Sequence, residues 1–557
     1  MPGKGPVATG PSAGAHPIEG AQEGSANLLA HIGPSRRPTA ASAQATVSFV
    51  ALFVVALVMA VILAALEGMG RFWLDPEGWL ASLDPMSALD TLSNAAEVVA
   101  GVLAIAITVV AIVVQLAATR YTHRITSMFV REPVNVSVIS FFVLTTIQCV
   151  WVSASVGSAE VAEQGATTGL VLTLIMVTLC LLILVPYFAF VFVFVSPLNI
   201  IDRIRRTAEH ALGRVGRDPE KVALHVMEVI ENLEDIARGA IDHGDRSIAM
   251  GCINALMEFL LEYDERRSEM PDALYEMTVS IRRNPDFISV APAVLDDIES
   301  TRTWLDVKIL RQYQTLFSHS LNDARDICNL IALNTTELAL YGLGKRSGLL
   351  QLSLRFLNSF MRASINAKDL RTAYHLMNHY REVAQRLMEA GDEKTTLAVA
   401  EYFKYYGQIA FNVGQPFLLE AVTYDLTKVL ERAVEIDSPM VDPLLDLLLT
   451  VDRESKSEEQ EESLLGVRRA QVQLATLFMS LGDDARMKRI QEDMMGERRH
   501  RLVMVRDELL GEERQYFWEF NDRGVNFAYL PPERRAFVER FFSVFPEMGS
   551  ATPPVAD

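Results

Sequence analysis

Four long apolar runs before residue 200, three of them without a charge, constrain this sequence more than any other feature. Val47 to Leu66 contains twenty residues without a charge. At about 1.5 Å of helix rise per residue, such a run crosses the roughly 30 Å hydrocarbon core of a bilayer. Comparable runs occupy residues 95–118, 134–156 and 167–195. The sequence therefore predicts four transmembrane helices, the last of which is long enough to require a tilt or a bend, with Pro186 as the place for it.

The charges of the connecting segments predict the orientation of these helices. The loops at 67–93 and 157–166 are acidic, whereas the other flanking segments carry arginines. The basic positions are Arg36, Arg37, Arg120, Arg124 and Arg131, followed by a basic collar of Arg203, Arg205 and Arg206 directly after the fourth run. Positively charged loops stay in the cytoplasm. We therefore expect a multi-pass protein of the plasma (inner) membrane with both its N-terminus and its C-terminus in the cytoplasm.

The overall charge excludes one class of partner. The chain has 51 Lys and Arg against 70 Asp and Glu, a formal net charge of -19, so it lacks the basic surface that nucleic acid requires. Its four cysteines are scattered without a CxxC pair, and we expect them to be buried thiols. No cofactor and no metal are expected.

After the membrane segment the sequence has the apolar spacing of one helix after another and no strand alternation. We expect an all-α chain, with four transmembrane helices followed by a large cytoplasmic helical domain of the α-solenoid (repeat-like) or bundle type. The predicted parts are a disordered tail at 1–45, a transmembrane domain at 46–200, a helical domain at 201–451, an acidic linker at 452–463, C-terminal helices at 464–545 and a disordered tail at 546–557.

Comparison of the sequence with itself indicates a duplicated unit. Residues 237–259 align with residues 361–383 at a constant offset of 124. The aligned pairs include Arg238 with Arg362, Asp242 with Asn366, and Asp245 with Asp369. Each copy has the pattern of a helix end, a polar turn, an acidic N-cap and a new amphipathic helix. Chance similarity between two amphipathic helices is the alternative explanation.

Residues 114–152 carry a resemblance to a known family. Gln115, Leu116, Ala117 and Arg124 stand where an uncharacterised bacterial family of predicted integral membrane proteins, with a domain of unknown function, has a Leu-Gln-Leu-Ala-Ser-like run and a cytoplasmic turn. Thr122-His123 replaces the family's Ser-Pro pair, and GAIDHGDRSIA and ASINAKDLRTA are similar to a second family turn without its prolines. The resemblance covers about the first 260 residues of a divergent member. It implies four spans and a cytoplasmic helical domain, and it implies no activity.

The second predicted span carries a row of small and polar residues on one helical face. We name these residues the polar row: Glu97, Gly101, Ala104, Thr108, Ala111, Gln115, Ala118 and Thr122. One interpretation is a wet pathway between several protomers, with Glu97 at its mouth. The interpretation that we favour is close helix packing, with Gln115 bonded to Thr145 or Gln148 of the third span.

Three further sequence patterns could each form a binding site. His375, His379 and Glu382 share a helical face and could bind a metal, but the spacing alone favours a solvated or partner-facing stripe. GLGKRSG at 342–348 lacks the spacing of a phosphate-binding loop and predicts a helix end with a turn. The duplicated turns could bind a ligand through Arg238, Asp242 and Asp245 and through Arg362, Asn366 and Asp369, although helix capping explains the same residues.

These patterns predict a non-enzymatic, membrane-anchored interaction or regulatory protein. Its expected partners are the lipid bilayer, other copies of itself in a homo-oligomer, and a cytoplasmic protein that binds the helical domain. The alternative is a homo-oligomeric channel or conduit that is lined by the second span and gated by the cytoplasmic domain.

Overall fold

The computed structural model describes residues 85–120, 124–156, 165–213, 218–452, 458–517 and 523–545. Within these ranges every regular element is a helix, as the sequence predicts. The predicted first span at 47–66 and both predicted disordered tails lie outside the described residues. The chain divides into two compact units, one ending at Met270 and the other beginning at Pro271. This division lies about three helices after residue 201, where the sequence predicts the end of the transmembrane domain, and that prediction stays untested.

The first unit begins with helices α1 (Pro85–Arg120), α2 (Arg124–Val130), α3 (Pro133–Val156) and α4 (Gly165–Val195). Of the described helices, α1, α3 and α4 are long and apolar enough to cross a membrane. They coincide with the second, third and fourth predicted spans. Helix α1 begins about ten residues earlier than predicted, because Pro85 suits a helix start and no breaker follows it before Asn94. Pro186 lies inside the continuous helix α4.

The three apolar helices pack on one another and leave much apolar surface uncovered. Helix α1 contacts both α3 and α4, and Leu92, Val152 and Leu170 form a buried cluster where the three meet. Ile105 is 67% exposed and Trp151 is 74% exposed. An apolar surface of this extent is unfavourable in water and suits contact with lipid.

Three helices complete the first unit: α5 (Pro197–Leu212), α6 (Pro219–Asp242) and α7 (Arg246–Arg266). Helix α5 packs against both α6 and α7. It is amphipathic, and Ile200, Ile204, Ala208 and Leu212 form its buried face. The sequence predicted a basic collar here, but Arg205 is buried within the same face.

The second unit opens with the short helices α8 (Val279–Arg282) and α9 (Pro292–Ser300). Eight helices then form what we name the helix-pair array: α10 (Trp304–Ser320), α11 (Arg325–Lys345), α12 (Ser347–Asn366), α13 (Leu370–Glu389), α14 (Glu393–Asn412), α15 (Phe417–Glu435), α16 (Val441–Leu448) and α17 (Glu458–Leu481). From α10 to α15, each helix packs against the next helix and against the next but one. The odd-numbered helices therefore form one layer and the even-numbered helices the other.

Four successive junctions of the array, from α12 to α16, share one turn geometry. Lys368, Gly391, Gly414 and Asp437 have positive φ, and each lies 23 residues after the one before. The next N–H group bonds back to the preceding helix, as Asp392 N does to Leu387 O at 3.0 Å, so a left-handed residue ends each helix and reverses the chain. The predicted offset of 124 is not a multiple of this spacing, and its first copy lies in the other unit. Gly244 has the same turn, so the geometry alone does not indicate a duplication.

The chain continues from α17 into α18 (Asp484–Met494), α19 (Arg499–Gly511) and α20 (Pro532–Phe542), all of which contact α17. The predicted acidic linker at 452–463 overlaps α17, which begins at Glu458. Its residue Gln460 is buried and donates to Phe411 O at 2.9 Å, and Glu461 pairs with Arg498 at 3.0 Å. This part of the prediction is wrong, because arginines of a later segment neutralise acids that look solvated in the sequence.

Candidate functional site: a groove on the helix-pair array

The polar row of α1 lies on the outside of the first unit. Glu97, Gly101, Thr108 and Gln115 are all exposed, as are the alanines between them up to Ala111. The Thr108 hydroxyl donates to Ala104 O at 2.8 Å, so it needs no partner from another helix. The row ends before Ala118, which is buried, and Thr122 lies outside the described residues.

The predicted bond from Gln115 to the third span is not formed. Thr145 is buried between other partners: its hydroxyl donates to Phe141 O at 2.8 Å and accepts from Cys180 Sγ of α4 at 3.3 Å. Gln148 is half-buried on α3, whereas Gln115 is exposed. The contact face of α1 consists instead of Val99, Ala106, Val110 and Val114, because apolar side chains fill the helix contacts.

A polar contact that the sequence analysis missed connects the ends of α3 and α4. Tyr187 donates to Asn135 Oδ1 at 2.6 Å, and both side chains are buried. Asn135 donates in turn to Phe129 O at 3.3 Å. Below it, Arg203 pairs with Glu132 at 2.8 Å. In the sequence, the sign of this contact was a single Asn and a single Tyr inside two apolar runs.

The duplicated turns do not form two equivalent sites. Arg238 pairs with Asp235 at 2.7 Å, and Arg362 donates to the Tyr405 hydroxyl at 2.7 Å, so neither arginine bonds its own turn. Asp242 and Asn366 are exposed, and Asp245 makes no side-chain capping bond.

Asp369, by contrast, is a buried connector between α11 and α13. It accepts from Thr372 N at 3.2 Å, from Asn322 N at 3.0 Å and from Arg325 Nε at 3.1 Å. Burial alone would raise the pKa of this carboxyl, but these donors outweigh burial and lower the pKa. Its geometry therefore serves helix capping and packing.

The face with His375 and His379 and the glycine-rich turn at 342–348 also take part in packing within the array. His379 is buried, its Nε2 lies 3.3 Å from Asn329 Oδ1, and burial lowers its pKa to about 4. Among the described residues, no group of three or more His, Cys, Asp or Glu side chains could hold a metal ion. In the glycine-rich turn, a Cβ on Gly342 would come within 2.7 Å of Leu350 N, so this glycine permits close packing of α11 and α12. All four cysteines are buried, as predicted.

An acidic cluster surrounds Arg205 in the first unit. Arg205 pairs with Asp202 at 3.1 Å, with Glu209 at 2.5 Å and with Glu262 of α7 at 2.7 Å, and Glu258 lies 3.7 Å away. One arginine therefore faces four carboxyl groups. Burial, together with a hydrogen bond shared with Glu262, raises the pKa of Glu209 to about 7.

The most developed polar site lies on the odd-numbered layer of the array. Asp425 of α15 is fully buried, and Arg381 of α13 donates to it at 3.0 Å. Arg523, from a non-helical segment after α19, forms two further bonds with the same carboxylate, at 3.1 and 2.5 Å. The Arg523 guanidinium also lies 4.4 Å from the ring centre of Tyr374. Although burial disfavours the charged form, the ion pair with Asp425 keeps the pKa of Arg523 above its usual value.

An aromatic anchor sits beside this ion pair. The ring of Phe527 stacks on Tyr424 with centres 4.6 Å apart and on Phe417 at 6.1 Å, and it meets Tyr374 edge-on at 6.3 Å. Gln473 of α17 then donates to Phe527 O at 2.9 Å and to Tyr529 O at 3.0 Å. Residues 523–531, which we name the strap, therefore cross helices α13, α15 and α17, and we name the surface beneath them the groove.

An open cavity of about 320 Å³ lies beside the strap, and strap residues such as Val525 and Asn526 form part of its wall. Among its lining residues are Tyr424, Lys428, Gln473, Tyr529 and Arg534. None of these residues was predicted from the sequence, because the strap contacts residues that are 54 to 149 positions away in the chain. No local pattern marks them.

Comparison with known proteins adds information mainly for the membrane segment. No curated protein sequence gives a significant match. A solved structure described as a circular tandem repeat protein with novel repeat topology and enhanced subunit contact surfaces is similar at 18% identity and a TM-score of 0.28, covering 57% of this chain and 80% of that chain. The family model described as "Predicted membrane protein (DUF2254)" matches residues 44–228, so the resemblance inferred from the sequence is confirmed over this part of the chain.

Proposed function

We propose that this chain is a non-enzymatic, membrane-anchored interaction protein whose helix-pair array binds a cytoplasmic protein. Helices α1, α3 and α4, together with the predicted first span at 47–66, are the anchor. The observation that carries the proposal is the groove, where a segment remote in sequence is held by an ion pair, an aromatic stack and carbonyl hydrogen bonds.

The composition of the groove supports recognition of a protein. Tyr and Arg are the residue types that contribute most to protein interfaces, and energetic anchors sit in well-packed, desolvated pockets. Tyr374, Tyr424, Arg381 and Asp425 meet in such a pocket. Stacked helix pairs extend this surface over several repeats, which is how solenoid proteins present their binding faces.

The membrane topology belongs to the same proposal. Four spans, an inner-membrane location and both termini in the cytoplasm follow from the alternation of basic and acidic loops. This places the array in the cytoplasm. A homo-oligomer in the membrane would cover the exposed polar row of α1, including Gln115, which otherwise faces lipid at a cost.

Site-specific photo-crosslinking in cells tests the interaction function. A photoreactive residue replaces Lys428, whose side chain lines the cavity and is 34% exposed, or Tyr405, which is 49% exposed on the even-numbered layer. We expect a discrete protein adduct from at least one of these positions. The matched control is Trp151, which is 74% exposed on α3 and should react with lipid. The absence of any protein adduct from both array positions would contradict the proposal.

A channel is the second candidate function, and the exposure of the polar row favours it. Glu97, Thr108 and Gln115 lie on one uncovered face of α1. Several such faces around an axis would line a polar path through the membrane.

Substitutions in the row separate the two functions. Under the anchor hypothesis, Thr108→Val with Gln115→Leu weakens the oligomer in detergent, because a buried polar contact between protomers is lost, and vesicles carry no ion flux. Under the channel hypothesis, the oligomer stays intact and ion flux in reconstituted vesicles changes. Ile105→Val, on an exposed apolar position of the same helix, is the control and should alter neither measurement.

A further inference from the structure

We infer that the groove is a peptide-binding site for a partner segment that carries an arginine followed four residues later by an aromatic residue. The strap is the internal occupant of this site, since its Arg523 and Phe527 have that spacing. This inference rests on the proposed interaction function and specifies the partner's chemistry. Displacement of the strap by the partner would then couple binding to release of the chain between α19 and α20.

The arginine of the strap can be exchanged for another, because Asp425 keeps an ion pair with Arg381 when Arg523 leaves. Asp425 is fully buried and receives bonds from both Arg381 and Arg523. When Arg523 leaves, Asp425 keeps its bond to Arg381 at 3.0 Å. Departure of the strap therefore leaves no isolated buried charge, which would otherwise cost several kcal/mol. An incoming arginine restores both the bidentate contact and the stack on Tyr374.

The aromatic part of the groove also exists without the strap. Tyr374 and Phe417 contact each other directly, with ring centres 5.5 Å apart, independently of Phe527. Tyr424 completes the pocket from the same helix as Asp425. Removal of Phe527 would expose three aromatic faces to water, and an incoming aromatic ring would cover them again.

The third contact recognises the backbone of the ligand. The side-chain amide of Gln473 donates to the carbonyls of both Phe527 and Tyr529. Such bonds fix the direction of a bound segment and do not depend on its side chains. The residues that follow the strap are held separately, since Arg534 pairs with Glu431 at 2.8 Å and Gln491 donates to Phe541 O at 2.9 Å. Arg535 of α20 also donates to Leu530 O at 3.0 Å, so α20 and the last two residues of the strap stay docked while residues 523–529 leave.

The test is binding of a fluorescein-labelled peptide with the sequence of residues 523–531 to the full chain in detergent. In the wild type the strap occupies the groove, so the peptide binds only the small fraction of molecules whose groove is free. The apparent affinity for the peptide is lowered in proportion to that fraction. We expect the double variant Arg523→Ala/Phe527→Ala to bind the peptide at least tenfold more tightly than the wild type. A peptide in which both anchors are alanine is the matched control and should bind neither protein. Helical content and melting temperature establish that the variant is folded.

A second substitution keeps the inference testable if the double variant does not fold. In the otherwise wild-type chain, Gln473→Ala removes only the carbonyl donor. It should loosen the strap, so that protease cleaves within residues 512–531 several times faster than in the wild type. Unchanged cleavage would overturn the assignment of the strap as a releasable occupant.

The remaining outcomes are also decisive. Equal binding of the peptide to wild type and folded double variant, or binding of the alanine peptide, would overturn the inference. Self-association of the double variant through the groove would show that a second copy is the occupant and would equally overturn it. A protein adduct at Tyr405 combined with no peptide binding would refute the groove and leave the interaction function standing, whereas failure of both experiments would refute both.

Discussion

At the scale of single residues, the second unit is held by buried charges with several partners. Asp306 is fully buried and bonds Arg346 at 3.0 and 2.8 Å in a bidentate pair. We expect Asp306→Ala to lower the free energy of unfolding by about 3–5 kcal/mol, because the Arg346 guanidinium would lose both carboxylate bonds inside the protein. Urea unfolding of the second unit, followed by circular dichroism, measures the change.

An exposed ion pair of the same unit provides the comparison. Asp296 lies 3.2 Å from Arg282, and its side chain is 67% exposed. Because solvent screens such a pair, Asp296→Ala should change the free energy of unfolding by less than about 1 kcal/mol. Equal effects of the two substitutions would show that burial does not determine the strength of these pairs.

Single residues also mark the limit of what the sequence could predict. The helical face shared by Glu97, Thr108 and Gln115 follows from spacing alone, and the structure keeps these residues on one face. The direction in which that face points depends on packing with α3 and α4, so the bond predicted for Gln115 was wrong. The groove was missed for the same reason, since Arg523 and Asp425 meet only after the array has folded.

At the scale of elements, the packing of α5 on α7 is expected to depend on pH. Folding raises the pKa of Glu209 from 4.5 to about 7, so the folded unit binds this proton more tightly than the unfolded chain. This stabilising contribution is complete below about pH 4.5 and is lost as the pH rises through about 7. Burial also raises the pKa of Glu258, which acts in the same direction. Hydrogen exchange of residues 246–266 should therefore be faster at pH 8 than at pH 5.5, after correction for intrinsic rates.

Substitution of Glu209 tests the cause of this pH dependence. Glu209→Gln keeps a neutral, hydrogen-bonding group beside Arg205 and should make the corrected exchange rates nearly equal at the two pH values. Besides Arg205, the charged groups that act on this carboxyl are Asp202 and Glu262. Around them, Arg206 pairs with Asp202, Glu258 lies near Arg205, and Arg266 acts on Glu262. Glu228→Gln on the exposed side of α6 is the control and should keep the wild-type dependence. A pH dependence that survives Glu209→Gln would assign the effect to another group.

The elements themselves were largely predictable, and their environments were not. Apolar length placed α1, α3 and α4 to within a few residues at most ends. Helix α5 was read as a basic collar, because the sequence does not reveal that acids of α7, 57 residues away, surround Arg205. The acidic run that overlaps α17 predicts a linker, because its basic partner Arg501 of α19 lies 40 residues further along the chain.

At the scale of the whole molecule, each of the two units has its own core. Ile230, Leu233 and Leu256 are buried in the first unit, and Trp304, Phe360 and Leu430 in the second. The sequence predicted one helical domain after residue 200, because periodic apolar residues continue across the boundary at 270. The division depends on which helices meet in space, and the 23-residue spacing of the array is carried by backbone turns at residues as different as Lys368, Gly391 and Asp437.

Two cores imply two unfolding transitions. We expect urea to expose peptides from residues 219–266 and from residues 304–366 to hydrogen exchange at different concentrations, because each unit is a cooperative structure of its own. Asp306→Ala should shift only the transition of residues 304–366, toward lower urea. Val226→Ala, which shortens a fully buried side chain of α6, should shift only the other by about 1–3 kcal/mol. If either substitution moved both sets of peptides together, the chain would unfold as one cooperative structure, and the groove could not be studied apart from the membrane helices.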